Sequence, residues 1–68
     1  MQFVMIQLED LLSIQAKLQP MVLDKSIDKR VHSVVLQHYG AIGYAIECIT
    51  DGYPIDEEAV NSAYWYVS

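Results

Sequence analysis

The amino-acid sequence predicts an all-α fold, a small three-helix domain with a long central helix that assembles into an oligomer. Apolar residues recur at helical spacing in three separate segments. Pro20 and the pair Asp51-Gly52, which separate these segments, are residues that commonly end helices. Residues 31–46 contain no Asp, Glu, Lys or Arg, so this run should form the centre of the buried core.

The chain is short enough that its oligomeric state becomes part of the fold prediction. Its 68 residues form one domain, residues 1–68. So short a domain buries a small share of its surface, and it usually needs disulfides, a metal or association with another chain. Cys48 is the only cysteine, and no Cys/His spacing typical of zinc is present. We therefore expect a homodimer or a larger homo-oligomer, with a well-packed monomeric bundle as the alternative.

The first predicted segment covers about residues 3–19, and we expect it to be helical from about residue 4. Its apolar positions recur at helical spacing: Val4, Leu8, Leu11, Leu12 and Leu18. Pro20 should close the helix, because proline disfavours helical backbone at the preceding residue. Residues 3–6 also fit a short strand, but the sequence offers no convincing partner strand.

The second predicted helix runs from about residue 26 to about Thr50. Ser26 is the expected N-cap, with Asp24 as the alternative. Asp51-Gly52 should end the helix, since glycine readily adopts the left-handed conformation of a C-terminal cap. The helix contains Gly40 and Gly43, which cost about 1 kcal/mol each relative to alanine. Two shorter helices meeting at these glycines are the competing interpretation, and we favour one continuous helix.

A seam of apolar and small residues follows this helix at alternating spacings of four and three, which is typical of coiled coils. The seam comprises Ile27, Val31, Val34, His38, Ala41, Ala45 and Cys48, flanked by Val35, Ile42 and Ile49. Small side chains in its second half, with two glycines beside them, allow another helix to approach closely. The predicted oligomer interface is Val34, His38, Ala41, Ala45 and Cys48.

The third predicted helix has the clearest start signal. Asp56 is its expected N-cap, and the two carboxylates that follow suit the positive end of the helix dipole. Ile55 and Val60 occupy the two positions of a hydrophobic staple. The predicted inward stripe is Ala59, Val60, Ala63, Tyr64 and Val67. Trp65 falls on a different face.

The charge distribution bears on the choice of partner. Residues 1–30 hold four cations and four carboxylates, whereas residues 31–68 hold five carboxylates and no Lys or Arg. The formal charge of −5 therefore belongs to the second part of the chain. An acidic surface repels phosphate backbones and attracts basic ones, so we expect a protein partner with a basic surface and no direct contact with nucleic acid.

Several classes of function are disfavoured. His32 and His38 are six residues apart and cannot hold one metal from a single helix. The run Asp56-Glu57-Glu58 is explained by helix capping. We expect no enzyme, cofactor or metal. Residues 31–46 are shorter than the roughly 20 apolar residues of a membrane span. The start of the chain lacks the basic region of a signal peptide. A single free cysteine is typical of the reducing cytoplasm.

The main functional hypothesis is a non-enzymatic protein-interaction module, a small acidic inhibitor or adaptor of the kind encoded by phages or mobile elements. Tyrosine and tryptophan are enriched among residues that dominate binding energy at interfaces. The predicted partner-binding residues are Trp65, Tyr66, Tyr53, Glu57, Glu58 and Asp51.

Two alternatives stay open. The first is an oligomeric protein that binds a nucleotide or another anion at a subunit boundary. Its cationic residues are Lys25, Lys29 and Arg30, with Tyr39, Tyr44 and His38 nearby. The second is a structural subunit of a larger assembly.

Overall fold

The computed structural model describes residues 6–68, and this part of the chain is all-α, with no strand. Three helices follow one another: α1 (Leu8–Leu23), α2 (Lys29–Asp51) and α3 (Glu57–Val67). α1 and α3 pack mainly against α2, with a smaller contact between them. The all-α prediction and its long central helix are confirmed, whereas the oligomer stays a prediction.

The predicted bounds of α1 were wrong at the C-terminal end. The helix continues through Pro20 to Leu23. Met21 and Val22, which follow the proline, pack against the core, so tertiary burial offsets the lost hydrogen bond. Ala16, whose carbonyl would have accepted that bond, is exposed, as is Pro20, so water can satisfy the free carbonyl.

The start of α1 also differs from the prediction. Residues 1–5, which include the expected start near residue 4, lie outside the described residues. Ile6 and Gln7 precede the helix, and the Asp10 carboxylate accepts a hydrogen bond of 3.0 Å from the Gln7 backbone N–H. This contact satisfies a donor at the helix start, as in a capping box.

The N-cap of α2 is Asp28, and neither Ser26 nor Asp24 caps the helix. The Asp28 carboxylate accepts a hydrogen bond from the Arg30 backbone N–H at 3.4 Å. Ser26 and Asp24 instead form a turn, in which the Ser26 backbone N–H and hydroxyl both donate to Asp24 Oδ1, at 2.9 and 2.6 Å. Aspartate and serine favour turns as well as caps, so the sequence alone did not separate the two uses.

The C-terminal end of α2 is confirmed. Gly52 has a φ of 81°, in the left-handed region. The Tyr53 backbone N–H donates to the Cys48 carbonyl at 2.8 Å, which is the six-to-one bond of a Schellman motif. α2 is continuous through Gly40 and Gly43, as predicted.

The core follows the predicted seam only in the second half of α2, where Ala45 and Cys48 are buried. Its eight residues come from all three helices: Leu11, Ile14, Leu18, Val35, Ile42, Ala45, Val60 and Ala63. Val35 and Ile42, which were predicted to flank the seam, are fully buried. Val31 and Val34, which were predicted to belong to it, are exposed. The face buried in the first half of α2 is therefore rotated relative to the prediction and passes through Val35 and Ile42.

α3 begins as predicted. The Asp56 carboxylate accepts a hydrogen bond from the Ala59 backbone N–H at 3.2 Å. Val60 and Ala63 are buried and Val67 is partly buried. Tyr64 is half exposed, so its place in the inward stripe was wrong.

Candidate functional site

A shallow groove of about 530 Å³ runs along the surface between α2 and α3. Its lining residues are His38, Glu58, Asn61, Ser62, Trp65 and Tyr66. Five of the six come from α3, where spacings of three and four residues place side chains on neighbouring positions of one face. His38 is the single contribution of α2. The groove thus combines the rings of His38, Trp65 and Tyr66 with the carboxylate of Glu58.

Two aromatic contacts involve the rings at this groove. The His38 and Tyr66 rings lie with their centroids 4.6 Å apart and their planes inclined by 37°. The Trp65 ring meets Tyr64 edge to face, with centroids 5.5 Å apart and an angle of 78°. Contacts of this kind are favourable for aromatic pairs. Trp65 nevertheless leaves 68% of its surface exposed, which is unusual for so large an apolar side chain.

The predicted partner-binding residues are all exposed, but the groove brings only three of them together. Trp65, Tyr66 and Glu58 line it. Asp51 is the last residue of α2 and Tyr53 lies in the connection to α3, so both lie between the two helices rather than in the groove. Glu57 begins α3 and does not line the groove.

Sequence reasoning missed two groove residues, Asn61 and Ser62, and assigned a third, His38, to the oligomer interface. The spacing of Glu58, Ser62 and Tyr66, four residues apart on α3, was a signal that could have grouped them. No pattern in the sequence indicated that α2 would bring His38 against this face.

Two residues of the predicted oligomer interface are buried within the single chain. Ala45 is 3% exposed and Cys48 is 6% exposed. Their small side chains contribute to the packing among the three helices. Val34 is exposed, and His38 and Ala41 are half-buried, so these three residues keep surface that another copy can contact.

A second groove, of about 290 Å³, lies at the connection between α1 and α2. It is lined by Val22, Leu23, Asp24, Lys25, Ile27, Lys29 and His32. Two of the three predicted anion-binding cations, Lys25 and Lys29, therefore meet there. The third, Arg30, lies outside this groove, as do His38, Tyr39 and Tyr44. The anion site at a subunit boundary stays a prediction.

Local hydrogen bonds organise this second groove. His32 Nε2 donates to the Val22 carbonyl at 2.8 Å, which ties α2 to the end of α1. Hydrogen bonds from the Ser26 hydroxyl and backbone N–H lower the pKa of Asp24 below its ordinary value, with a smaller contribution from the charge of His32. The groove thus holds a stabilised carboxylate beside its two lysines.

The lowered pKa of Asp24 predicts how this turn responds to acid. The charged form is favoured in the folded chain, so its stabilising contribution is complete above the ordinary pKa of 3.8 and is lost as the pH falls through the lower folded value. We expect Ser26→Ala to raise the pKa of Asp24 towards its ordinary value, as measured by NMR titration of the side-chain carboxyl carbon. Ser33→Ala, at an exposed position within α2, is the control and should leave the titration unchanged. An unchanged titration in Ser26→Ala would contradict the assignment.

The described part of the chain was also searched for groups of metal-binding side chains and for membrane-spanning helices. Among residues 6–68, no three His, Cys, Asp or Glu side chains are grouped so that they could hold a metal ion. None of the three described helices combines the length and apolar character needed to cross a bilayer.

The chain was also compared with known proteins. No family model matches its sequence, and no match was found among the curated proteins or the solved structures. The residues and geometry of the two grooves are therefore the basis on which a function is assigned.

Proposed function

We propose that this chain is a non-enzymatic protein-interaction module, a small acidic inhibitor or adaptor that binds a basic surface of a partner protein. The observation that carries the proposal is the exposure of Trp65. This tryptophan leaves two-thirds of its surface exposed on α3 and lines a groove that contains a carboxylate. A class of small inhibitors and adaptors encoded by phages or mobile elements has this combination of size and acidity. The single free cysteine favours action in the cytoplasm.

The exposed aromatic residues support the proposal energetically. Tryptophan and tyrosine combine a large apolar area with a polar group, and they dominate the binding energy of many interfaces. Trp65 and Tyr53 each leave about two-thirds of their surface exposed. A partner that covers these rings removes apolar surface from water, which stabilises the complex.

The acidic residues support a basic partner. Asp51, Asp56, Glu57 and Glu58 are exposed around the start of α3, and no Lys or Arg follows residue 30. Unbalanced charge of one sign raises the rate of encounter with a surface of the opposite sign and disfavours like-charged partners. The aromatic residues would then supply affinity, and the carboxylates would supply orientation and speed of association.

The test is affinity capture from cells that express the chain, with the wild type and the Trp65→Ala variant as bait. We expect the wild type to retain a protein with a basic surface and to release it at high salt, because exposed charge pairs are screened. Trp65→Ala should weaken this binding by about tenfold or more, the scale of an interface hot spot. Circular dichroism should show an unchanged helix content, since the side chain is mostly exposed.

Leu12→Ala is the matched control, because it removes another exposed apolar side chain from a different helix. Its binding should equal that of the wild type. If Trp65→Ala and Leu12→Ala retain the partner equally well, Trp65 does not belong to the binding surface. If Trp65→Ala unfolds the chain, the residue is structural and the proposal fails at this position.

The predicted alternatives receive less support. An anion-binding protein would use Lys25 and Lys29, but Asp24 lines the same groove and offsets part of their charge. The homo-oligomer stays a prediction that now relies on Val34, His38 and Ala41. The role of a structural subunit in a larger assembly also stays a prediction.

A further inference from the structure

We infer that the groove between α2 and α3 binds the guanidinium group of an arginine side chain that the partner presents. This inference rests on the proposed function and specifies the chemistry of its partner. It starts from the composition of the groove, which is lined by one carboxylate, the rings of Trp65 and Tyr66, the imidazole of His38, and two neutral polar side chains.

The charge in the groove selects a cation. Glu58 is the one carboxylate among the described lining residues, and none of these residues is Lys or Arg. No Lys or Arg of the groove therefore competes with a ligand for Glu58. A positively charged group that enters the groove forms a charge-assisted hydrogen bond with this carboxylate, which is shorter and stronger than a bond between neutral groups.

The aromatic rings select a flat cation. A guanidinium group stacks on the face of tryptophan or tyrosine, with tryptophan the most favourable partner. Tyr64 contacts the Trp65 ring edge to face, and His38 contacts the Tyr66 ring from α2. Trp65 still leaves 68% of its surface exposed, so its ring is accessible to a stacking cation.

The polar lining residues match the donors of a guanidinium group. Arginine carries five N–H donors in a planar fork and no acceptor. Glu58 can accept two of these bonds, and the Asn61 amide oxygen and the Ser62 hydroxyl add further acceptors on the same face of α3. A lysine ammonium is compact, strongly hydrated and not planar, so it uses the aromatic faces less well. Arginine is also enriched at protein interfaces, whereas lysine is depleted.

The experiment measures binding of capped tri-arginine, tri-lysine and tri-citrulline peptides to the intact chain. Trp65 is the only tryptophan, so its fluorescence and its indole N–H signal in an NMR spectrum report on this groove alone. We expect tri-arginine to bind about fivefold more tightly than tri-lysine, because of stacking and bidentate pairing. Tri-citrulline, which is flat but uncharged, should not bind measurably.

Two variants that each lose one carboxylate distinguish binding in the groove from attraction to the overall negative charge. Glu58→Gln should weaken tri-arginine binding by about fivefold or more, since it removes the charged acceptor. Glu47→Gln removes an exposed carboxylate of α2 that does not line the groove, and it should change the affinity by less than about twofold, the scale of a screened surface charge.

Chemical-shift mapping on the wild type provides a second measurement that needs no variant. We expect the largest shifts at His38, Trp65 and Tyr66. Equal affinity for tri-arginine and tri-lysine, or equal effects of the two Gln substitutions, would overturn the guanidinium site and leave the acidic interaction surface standing. Shifts confined to Asp51 and Tyr53 would overturn it in the same way. Binding of neither basic peptide would count against the proposed basic partner as well.

Discussion

Leu11→Ala lowers the free energy of unfolding by about 2–5 kcal/mol, the range for a buried leucine that leaves a cavity when it is truncated. Leu11 is fully buried in the core to which all three helices contribute. Domains have only about 5–15 kcal/mol of stability, and a chain this short lies at the lower end. We therefore expect Leu11→Ala to be largely unfolded at 37 °C, as measured by thermal and urea denaturation followed by circular dichroism.

The control for this prediction is the neighbouring residue. Leu12 leaves 47% of its surface exposed, so Leu12→Ala makes the same chemical change and creates no enclosed cavity. We expect its effect to stay within about 1 kcal/mol, because only part of the transfer free energy of the side chain is lost. Equal destabilisation by the two substitutions would mean that both leucines are buried in solution, through a different packing of α1 or through contact with another chain.

The double substitution Gly40→Ala and Gly43→Ala raises the free energy of unfolding by about 1–2 kcal/mol, since alanine is the better helix former by close to 1 kcal/mol at each position. Both glycines lie within α2, and a Cβ added to either one meets no atom within 4 Å. Gly52→Ala is a control for which we expect the opposite effect, a lower free energy of unfolding. Its φ of 81° strains any residue with a Cβ, so we expect a loss of roughly 1–2 kcal/mol.

The glycine substitutions also test the idea that these residues permit close helix packing. Within the single chain, no helix packs close to either glycine. A loss of stability that grows with protein concentration would therefore show that a second copy covers this face. Denaturation at several concentrations, together with the mass in solution from light scattering, separates this outcome from the expected stabilisation.

The sequence predicted the elements whose signals are local. Asp56 as the N-cap of α3 and Gly52 as the end of α2 were correct, because capping depends on the side chain at one position and on the backbone immediately around it. The continuity of α2 was also correct. The N-cap of α2 was missed because Asp24, Ser26 and Asp28 all suit both caps and turns.

The candidate site was predicted only in part, because some of its residues are brought together by contacts between helices. The sequence placed Trp65 away from the inward stripe of α3, and the structure leaves this residue exposed. The face of α2 that meets α3 decides whether His38 lies beside Trp65 in the groove, and the sequence did not predict that face. Periodicity defines an apolar stripe but does not state which neighbouring helix covers it.

The amino-acid sequence by itself thus determined that the fold is helical, where α2 ends and α3 begins, and that the second part of the chain carries the acidic charge. These properties follow from residue types and their spacing along the chain. Tertiary structure alone decided that α1 passes through Pro20, that Leu11 is buried while Leu12 is exposed, and that Ala45 and Cys48 lie inside the chain. The physical reason is that burial depends on contacts between segments distant in sequence, and the free energy of those contacts outweighs local preferences of about 1–3 kcal/mol.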